Sequence, residues 1–339
     1  MVRWGILGCG WVARDYAGPA IRASSNGVLV GAFDPGADAR RTAEAALGVP
    51  CHTEAAPLLG EVDAVYVAAP NHAHRGLVEQ AAAAGCHVLC EKPMATTLAD
   101  ARAMVAACEQ AGVRYATAFD QRFHAAHRAL AELVANGRLG TVTALRIVYA
   151  CWLPPSWSPG AVQHDNWRID PARAGGGALM DLAPHGLDLA SVVLGERIVE
   201  IAAMGQHRVH RYKVEDGATL MGRTEAGTLL QLHVAYNHPE TLPRRRLEVV
   251  GTGGLAVLTD TMGQVGGGTL DLLDAATGVA TRMDVPGVER SPFLNQAEAF
   301  AAAVSGGAPF PFDPAHDLHI MDLVLRAQAM ADPGLHDAA

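Results

Sequence analysis

From residue 2 to residue 119 the chain alternates short β-rich runs with alanine-rich stretches of helical period, and beyond residue 140 the strand runs follow one another directly. This change of rhythm constrains the fold more than any other feature. Strands joined through helical crossovers build a parallel sheet, and strands joined by short turns build an antiparallel or mixed one. "VRWGIL", "VLVGAF", "AVYVAA", "HVLC" and "YATAF" read as the first set of strands, with helices between them. A linking helix, "HAAHRALAELVANG", precedes "TVTALRIVYACW", "IVEIAAMG", "ATLMGRT", "GTLLQLHVAY", "RRLEVVG", "LAVLTD" and "TLDLLDA". The expected fold class is α/β: a Rossmann-type domain over residues 1–120 and an α+β domain with a large, mostly antiparallel open sheet over residues 121–339. The late helices around "FLNQAEAFAAAV" and "AHDLHIMDLVLRAQAM" are expected to return over a sheet or over the first domain.

A chain of 339 residues exceeds one ordinary core, which agrees with two domains. Its net charge of −9, with "PRRRLEV" as the only arginine run, argues against a nucleic-acid partner. No stretch reaches the ~20 apolar residues of a membrane span. The start "MVRWGILGCG" lacks the pattern of a secretory leader. Cys9, Cys51, Cys86, Cys90, Cys108 and Cys151 form no C-x-x-C pair, so reduced thiols and a cytoplasmic location are expected. "CHVLC" raises a metal site through Cys86, His87 and Cys90, but a strand turns His87 away from the two thiols, so no metal is expected.

"ILGCGWVA" reads as G-x-G-x-x-A after the first strand. Gly8 allows the tight turn, Gly10 lets backbone approach a pyrophosphate, and Ala13 permits close helix packing, with Trp11 and Val12 in the same loop. Asp34 follows the second strand, 24 residues beyond Gly10, where a carboxylate binds ribose hydroxyls and repels a 2′-phosphate. The expected cofactor is NAD rather than NADP; Arg40 and Arg41 stand on the following helix.

Of 26 basic residues only Lys92 and Lys213 are lysines. A compact ammonium whose pKa responds to desolvation can do chemistry that a permanently charged guanidinium does not, which makes Lys92 in "CEKPMA" a catalytic candidate. In "GGGALMDLAPHGLDL" the residues Asp181, His185 and Asp188 are spaced by four and three, so a helix places them on one face. Pro184 and the preceding glycines predict a bent or late-starting helix with Asp181 near its beginning. Alcohol oxidation needs a base, and imidazole titrates near working pH, so His185 suits the proton transfer, with Lys92 polarising the oxygen and Asp181 tuning the pair.

Three segments in order, "GCGWVA", "PNHAH…AGCHVLCEKPMA" and "AGGGALMDLAPHGLDL", resemble the Gfo/Idh/MocA oxidoreductases. The resemblance implies NAD(P) held between a Rossmann domain and a second domain, whose sheet supports a homodimer or homotetramer. It assigns Lys92, Asp181 and His185 the catalytic roles given above. It implies that Pro70, Asn71 and His74 lie near the cofactor, that Glu91 and Lys92 sit under the nicotinamide ribose, and that Pro93 follows an often cis peptide, the bond type that proline makes accessible. "FDQRFH" resembles the segment that touches the nicotinamide, through Gln121, with Asp120 where many members carry asparagine. Trp167 and Arg168 are expected to face cofactor or substrate. Arg122, His164, Asp165, Asn166, Asp170, Tyr236 and His238 are candidates for recognising substrate hydroxyls, because each buried hydroxyl needs a partner.

The leading expectation is a dehydrogenase moving hydride between nicotinamide and a hydroxyl-bearing ring carbon of a sugar, cyclitol or related polyol. Two others remain: a permanently bound NAD serving epimerisation or glycoside elimination, and a non-catalytic dinucleotide-binding protein.

Overall fold

The computed structural model describes residues 1–158 and 166–331; the candidates His164 and Asp165 lie outside the described residues. The chain divides into two compact units, the first made of Met1–Phe119 and Phe293–Met321, the second of Asp120–Pro292 and the residues from Asp322 onward.

The first unit contains β1 (Val2–Leu7), α1 (residues 11–23), β2 (Gly27–Phe33), α2 (Ala37–Leu47), β3 (Cys51–His52), α3 (Ala55–Leu59), β4 (Ala64–Val67), α4 (His74–Ala83), β5 (His87–Cys90), α5 (Leu98–Gln110) and β6 (Tyr115–Thr117). Among the described residues six strands pair in the order β3-β2-β1-β4-β5-β6, and every pairing is parallel. The order reverses direction at β1, where chain connections leave to opposite sides and open a crevice at the strand ends. The strands are apolar on both faces, as helix-covered parallel strands must be. α9 (Pro292–Val304) supplies Phe293, Ala297, Phe300 and Ala301 to the same core, and Phe300 lies 5.6 Å from the fully buried Trp4 of β1.

In α1 the stretch Ala13–Ala17 is wound as a π turn, with Gly18 donating its N–H to the Ala13 carbonyl. Pro19 follows, has no N–H to give, and the wider turn accommodates the lost bond.

The second unit contains α6 (Ala125–Ala135), β7 (Val142–Ala150), α7 (Pro171–Ala174), α8 (Ala178–Leu194), β8 (Ile198–Gln206), β9 (Gly217–Thr224), β10 (Leu229–Ala235), β11 (Arg245–Gly251), β12 (Gly254–Thr259), β13 (Thr269–Asp274) and β14 (Ala280–Arg282). These described strands form one sheet, β14-β13-β12-β11-β7-β10-β9-β8, antiparallel except for the parallel pair β7 and β10. The strands alternate buried and exposed residues, so one face takes α8 and the other is open. α10 (Pro314–Ala331) closes the described chain. No described helix is long and apolar enough to cross a membrane.

Two histidines anchor the start of α6. His124 Nδ1 accepts from the Ala126 N–H, and His127 lies between the Gln121 carbonyl and the Thr261 hydroxyl, each at 2.9 Å. Burial pushes the pKa of His124 down to about 4 and that of His127 to about 3. Both values fall below the ordinary value of about 6.5, so the unfolded chain binds protons first, and the stability held at neutral pH is lost as pH falls. Between pH 7 and pH 5 each histidine should cost about 2 kcal/mol. A urea midpoint followed against pH is expected to be level above pH 7 and to fall from about pH 6.5. A His127→Gln variant should show a shallower fall; a midpoint unchanged down to pH 5 in the parent protein would contradict the account.

Candidate active site

The crevice end of the first unit is assembled from loops that follow strands. Gly8 has φ of 99°, and a Cβ there would lie 2.6 Å from the Ala69 nitrogen, so the turn after β1 can be made only by glycine. Gly10 is exposed, and a Cβ there would meet only the Ala68 carbonyl at 3.7 Å, which leaves its backbone open to an approaching phosphate. Trp11 and Val12 open α1 and are half-buried.

Asp34 stands at the end of β2 and fastens the loop around it. One carboxylate oxygen accepts from the Cys9 N–H at 2.9 Å, the other from the Gly36 N–H at 2.8 Å. A carboxylate oxygen has a second lone pair, so these bonds orient the group and leave capacity for ribose hydroxyls. Arg40, although on α2, reaches back to the carbonyls of Asp34 at 2.7 Å and Pro35 at 2.9 Å, whereas Arg41 pairs with Asp38. The end of β2 therefore carries the Asp34 carboxylate with the Arg40 guanidinium beside it.

Pro70 and Asn71 follow β4, and Asn71 begins a short 3-10 turn. His74 was expected to contact cofactor. Its ring is fully buried, with Nδ1 3.1 Å from the carbonyls of Pro93 and Met94 and Nε2 2.9 Å from that of Ala69. Burial pushes its pKa down, against the pull of the carbonyls. His74 joins the loop after β4 to the loop that carries Lys92. In that second loop the Lys92–Pro93 peptide is cis. Glu91 accepts from the Tyr66 hydroxyl at 2.6 Å and from the Lys92 N–H at 3.1 Å, so its carboxylate also holds the loop's backbone.

In the second unit, α8 begins at Ala178, directly after the three glycines and with Asp181 in its first turn, as a late-starting helix would, and it runs through Pro184 to Leu194. Its start is secured by Glu215, a residue distant in sequence: the buried carboxylate accepts from the N–H groups of Gly177 at 3.0 Å and Leu179 at 2.8 Å, and Gln328 donates to it at 3.2 Å. A negative group at a helix N-terminus satisfies donors that no residue within the helix can reach. A Cβ on Gly177 would lie 2.1 Å from the Glu215 carbonyl oxygen, which explains a glycine there.

Asp181 falls in the first turn of α8, with His185 one turn further and Asp188 beyond it. Asp181 accepts from the Tyr236 hydroxyl at 2.8 Å, and the Arg168 guanidinium lies 3.9 Å from it. The Arg168 guanidinium lies over the Trp157 ring at 5.1 Å and over the Trp167 ring at 4.7 Å. His185 is buried, its Nδ1 3.6 Å from Asp120 and its ring edge-on to Tyr149 at 5.7 Å. Burial holds Tyr149 and Tyr236 as neutral phenols and pushes the Cys151 thiol up to about 12.

Several residues expected to contact ligand have protein partners. Arg122 is buried and donates Nε and Nη2 to Asp188 at 2.6–3.0 Å. Gln121 donates to Asp120 and to the Gly263 carbonyl, both at 2.8 Å. Tyr236 is fully buried on Asp181. Asp170 caps α7 through the Ala172 N–H. Asn166 donates to the Pro154 carbonyl at 3.4 Å, and His238 is half-buried. Sequence spacing missed Glu215, Trp157 and Tyr149, because each reaches α8 or Arg168 from a segment with no local signal.

Fold and site together define a two-domain oxidoreductase with a dinucleotide-binding first domain. Residues 2–119 match the model of an oxidoreductase family with an NAD-binding Rossmann fold, and residues 127–257 match the GFO/IDH/MocA C-terminal domain. The chain is 36% identical over 280 residues to 1,5-anhydro-D-fructose reductase of Ensifer adhaerens, covering 81% of each. It is 28% identical over 286 residues to myo-inositol 2-dehydrogenase of Thermotoga maritima, covering 78% of this chain and 80% of that protein. The crystal structure of an aldose–aldose oxidoreductase from Caulobacter crescentus, complexed with glycerol, superposes with a TM-score of 0.86 over 98% of each chain at 26% identity. The chain belongs to the GFO/IDH/MocA family and is an oxidoreductase with an NAD(P)-binding Rossmann domain.

Removing the Glu215 carboxylate strands buried N–H groups at the start of α8. Glu215→Ala is expected to cost about 2–4 kcal/mol, the scale of a lost cap plus unsatisfied donors. Thermal or urea denaturation measures it, and a change below about 0.5 kcal/mol would remove the capping role.

Proposed function

We propose that this protein is a dehydrogenase acting on a ring hydroxyl of a sugar, cyclitol or related polyol, with NAD preferred over NADP. The observation that carries the reading is α8, which presents Asp181 and His185 one turn apart, with His185 buried beside a carboxylate. The kinship with anhydrofructose reductase and inositol dehydrogenase supports the substrate class.

Gly8 and Gly10, with Trp11 and Val12, would hold the pyrophosphate of the cofactor and Asp34 its adenosine ribose, with Pro70, Asn71, Trp167 and Arg168 as its further contacts. A bound nicotinamide would supply the hydride chemistry. Lys92 donates a hydrogen bond to the reacting oxygen and lowers its hold on the proton. His185 would take that proton in the oxidation direction and return it in the reverse direction. Asp181, held by Tyr236 and faced by Arg168, binds a substrate hydroxyl. Asn166 and Asp170 border the same segment. The half-buried carboxylate at the end of β2 favours NAD, and Arg40 beside it moderates that preference.

We place the enzyme in the cytoplasm on its six free cysteines, and propose a homodimer or homotetramer formed through the open sheet face. That face exposes Met221 at 59% and Leu229 at 55% around a shallow cavity of about 260 Å³ lined by Arg146, His233 and Glu248. Light scattering should give a mass of two or four chains, and Leu229→Arg should lower it; a monomer at micromolar concentration would end this part of the proposal.

A panel of sugars and cyclitols, followed at the reduced-nicotinamide absorbance with NAD and NADP in parallel, tests the function. Lys92→Met should lower kcat by roughly 10²- to 10³-fold with NAD affinity little changed. Full turnover by that variant, or no hydride transfer to any member of the panel, would count against the proposal.

A further inference from the structure

We propose that Asp120 is the positioning residue of His185: its carboxylate fixes the imidazole with the proton on Nδ1, so that Nε2 is the atom that exchanges a proton with substrate. The inference rests on His185 acting as the base in the function proposed above, and it adds a residue that the sequence signatures of Lys92, Asp181 and His185 do not include.

Asp120 and His185 lie 65 residues apart in the chain, yet the carboxylate Oδ1 is 3.6 Å from Nδ1, at ion-pair distance, with side-chain exposures of 4% and 7%. The carboxylate is itself held: Gln121 donates to its Oδ2 at 2.8 Å and fixes its own amide on the Gly263 carbonyl. The next residue, Arg122, grips Asp188 on α8 through three hydrogen bonds, which sets the helix that carries His185 against the turn that carries Asp120. Tyr149 of β7 packs its ring edge-on against the imidazole. Asp120 thus meets His185 and Arg122 meets Asp188 one turn further along α8, while Gln121 between them holds the Asp120 carboxylate.

The other titratable groups around the imidazole are accounted for. On its own helix stand Asp181, bonded to Tyr236 with Arg168 nearby, and Asp188, bonded to Arg122. β7 presents the neutral phenol of Tyr149, α6 presents His127, whose nitrogens meet Gln121 and Thr261, and the histidine of β10, His233, bonds Thr219 on the open sheet face. Asp120 is the carboxylate placed at Nδ1.

A carboxylate beside an imidazole favours its protonated form and the neutral tautomer that donates toward the carboxylate. When His185 accepts the substrate proton at Nε2, the resulting imidazolium has its counter-charge in place. Asparagine would keep the shape and the bond from Gln121. It would turn an amide N–H₂ toward Nδ1, which stabilises the opposite tautomer and puts a proton on the atom that must accept one.

The test compares the full-length protein with Asp120→Asn and His185→Asn. Asp120→Asn is expected to lower kcat at least about 100-fold, with NAD affinity and melting temperature little changed. The acid limb of kcat/KM for oxidation should move to lower pH by about one unit, because the carboxylate no longer raises the imidazole's proton affinity. A purely structural role would move the melting temperature and leave that limb in place. Turnover within about threefold of the parent with an unmoved acid limb would overturn the proposal. If Asp120→Asn does not fold, ¹⁵N spectra of histidine-labelled parent protein decide, with His185→Asn used for assignment. A neutral His185 protonated on Nδ1 upholds the proposal, and protonation on Nε2 ends it. If His185→Asn retains full activity, the proposed function fails separately, and the tautomer still answers the question about Asp120.

Discussion

The arrangement of the second unit depends on the buried pair between Arg122 and Asp188. Both side chains are shut off from solvent, and two guanidinium nitrogens meet both carboxylate oxygens. Such a pair adds little net stability over an apolar substitute, but removing one member strands a buried charge at about 3–5 kcal/mol. Its effect is therefore geometric. Asp188 shares a face of α8 with Asp181 and His185, so fixing the rotation of the helix at Asp188 fixes the direction of the other two. Glu215 secures the beginning of the same helix through its terminal N–H groups, and the proline within it is tolerated in a segment held at both ends.

The first unit solves its own positioning problem in a similar way, with side chains bonded to backbone. A parallel sheet delivers its loops to one edge but does not dictate their conformation. Asp34 ties the loop after β1 to the end of β2, and His74 ties the loop after β4 to the cis peptide beside Lys92. Glu91 fastens the Lys92 backbone to Tyr66. These residues stand within the signature segments, yet their contacts are with the protein. Groups that hold a reacting side chain are as narrowly specified as the reacting side chain itself.

This division explains which site assignments the sequence supports. Gly8, Gly10 and Asp34 were legible because the demands they meet are local: a turn with positive φ, an open approach, and a carboxylate one strand away. The spacing of Asp181, His185 and Asp188 gave their common face for the same reason. Gln121, Arg122 and Tyr236 read as ligand-binding polars in the chain, and the structure gives them Gly263, Asp188 and Asp181 as partners, contacts that no local pattern encodes. Asp120 was visible only as a departure from asparagine.

The sequence alone determined the class of fold, through the switch from strand–helix alternation to consecutive strands, and it determined the dinucleotide loop and the face of α8, since each follows from periods of two or 3.6 residues and from the special backbone of glycine. Tertiary structure decided the parallel junction of β7 with β10, the capping of α8 by Glu215, the return of α9 to the first sheet and the meeting of Asp120 with His185. Those contacts join residues tens to hundreds of positions apart, and their energy comes from burial and charge pairing that exist only once the chain has closed on itself.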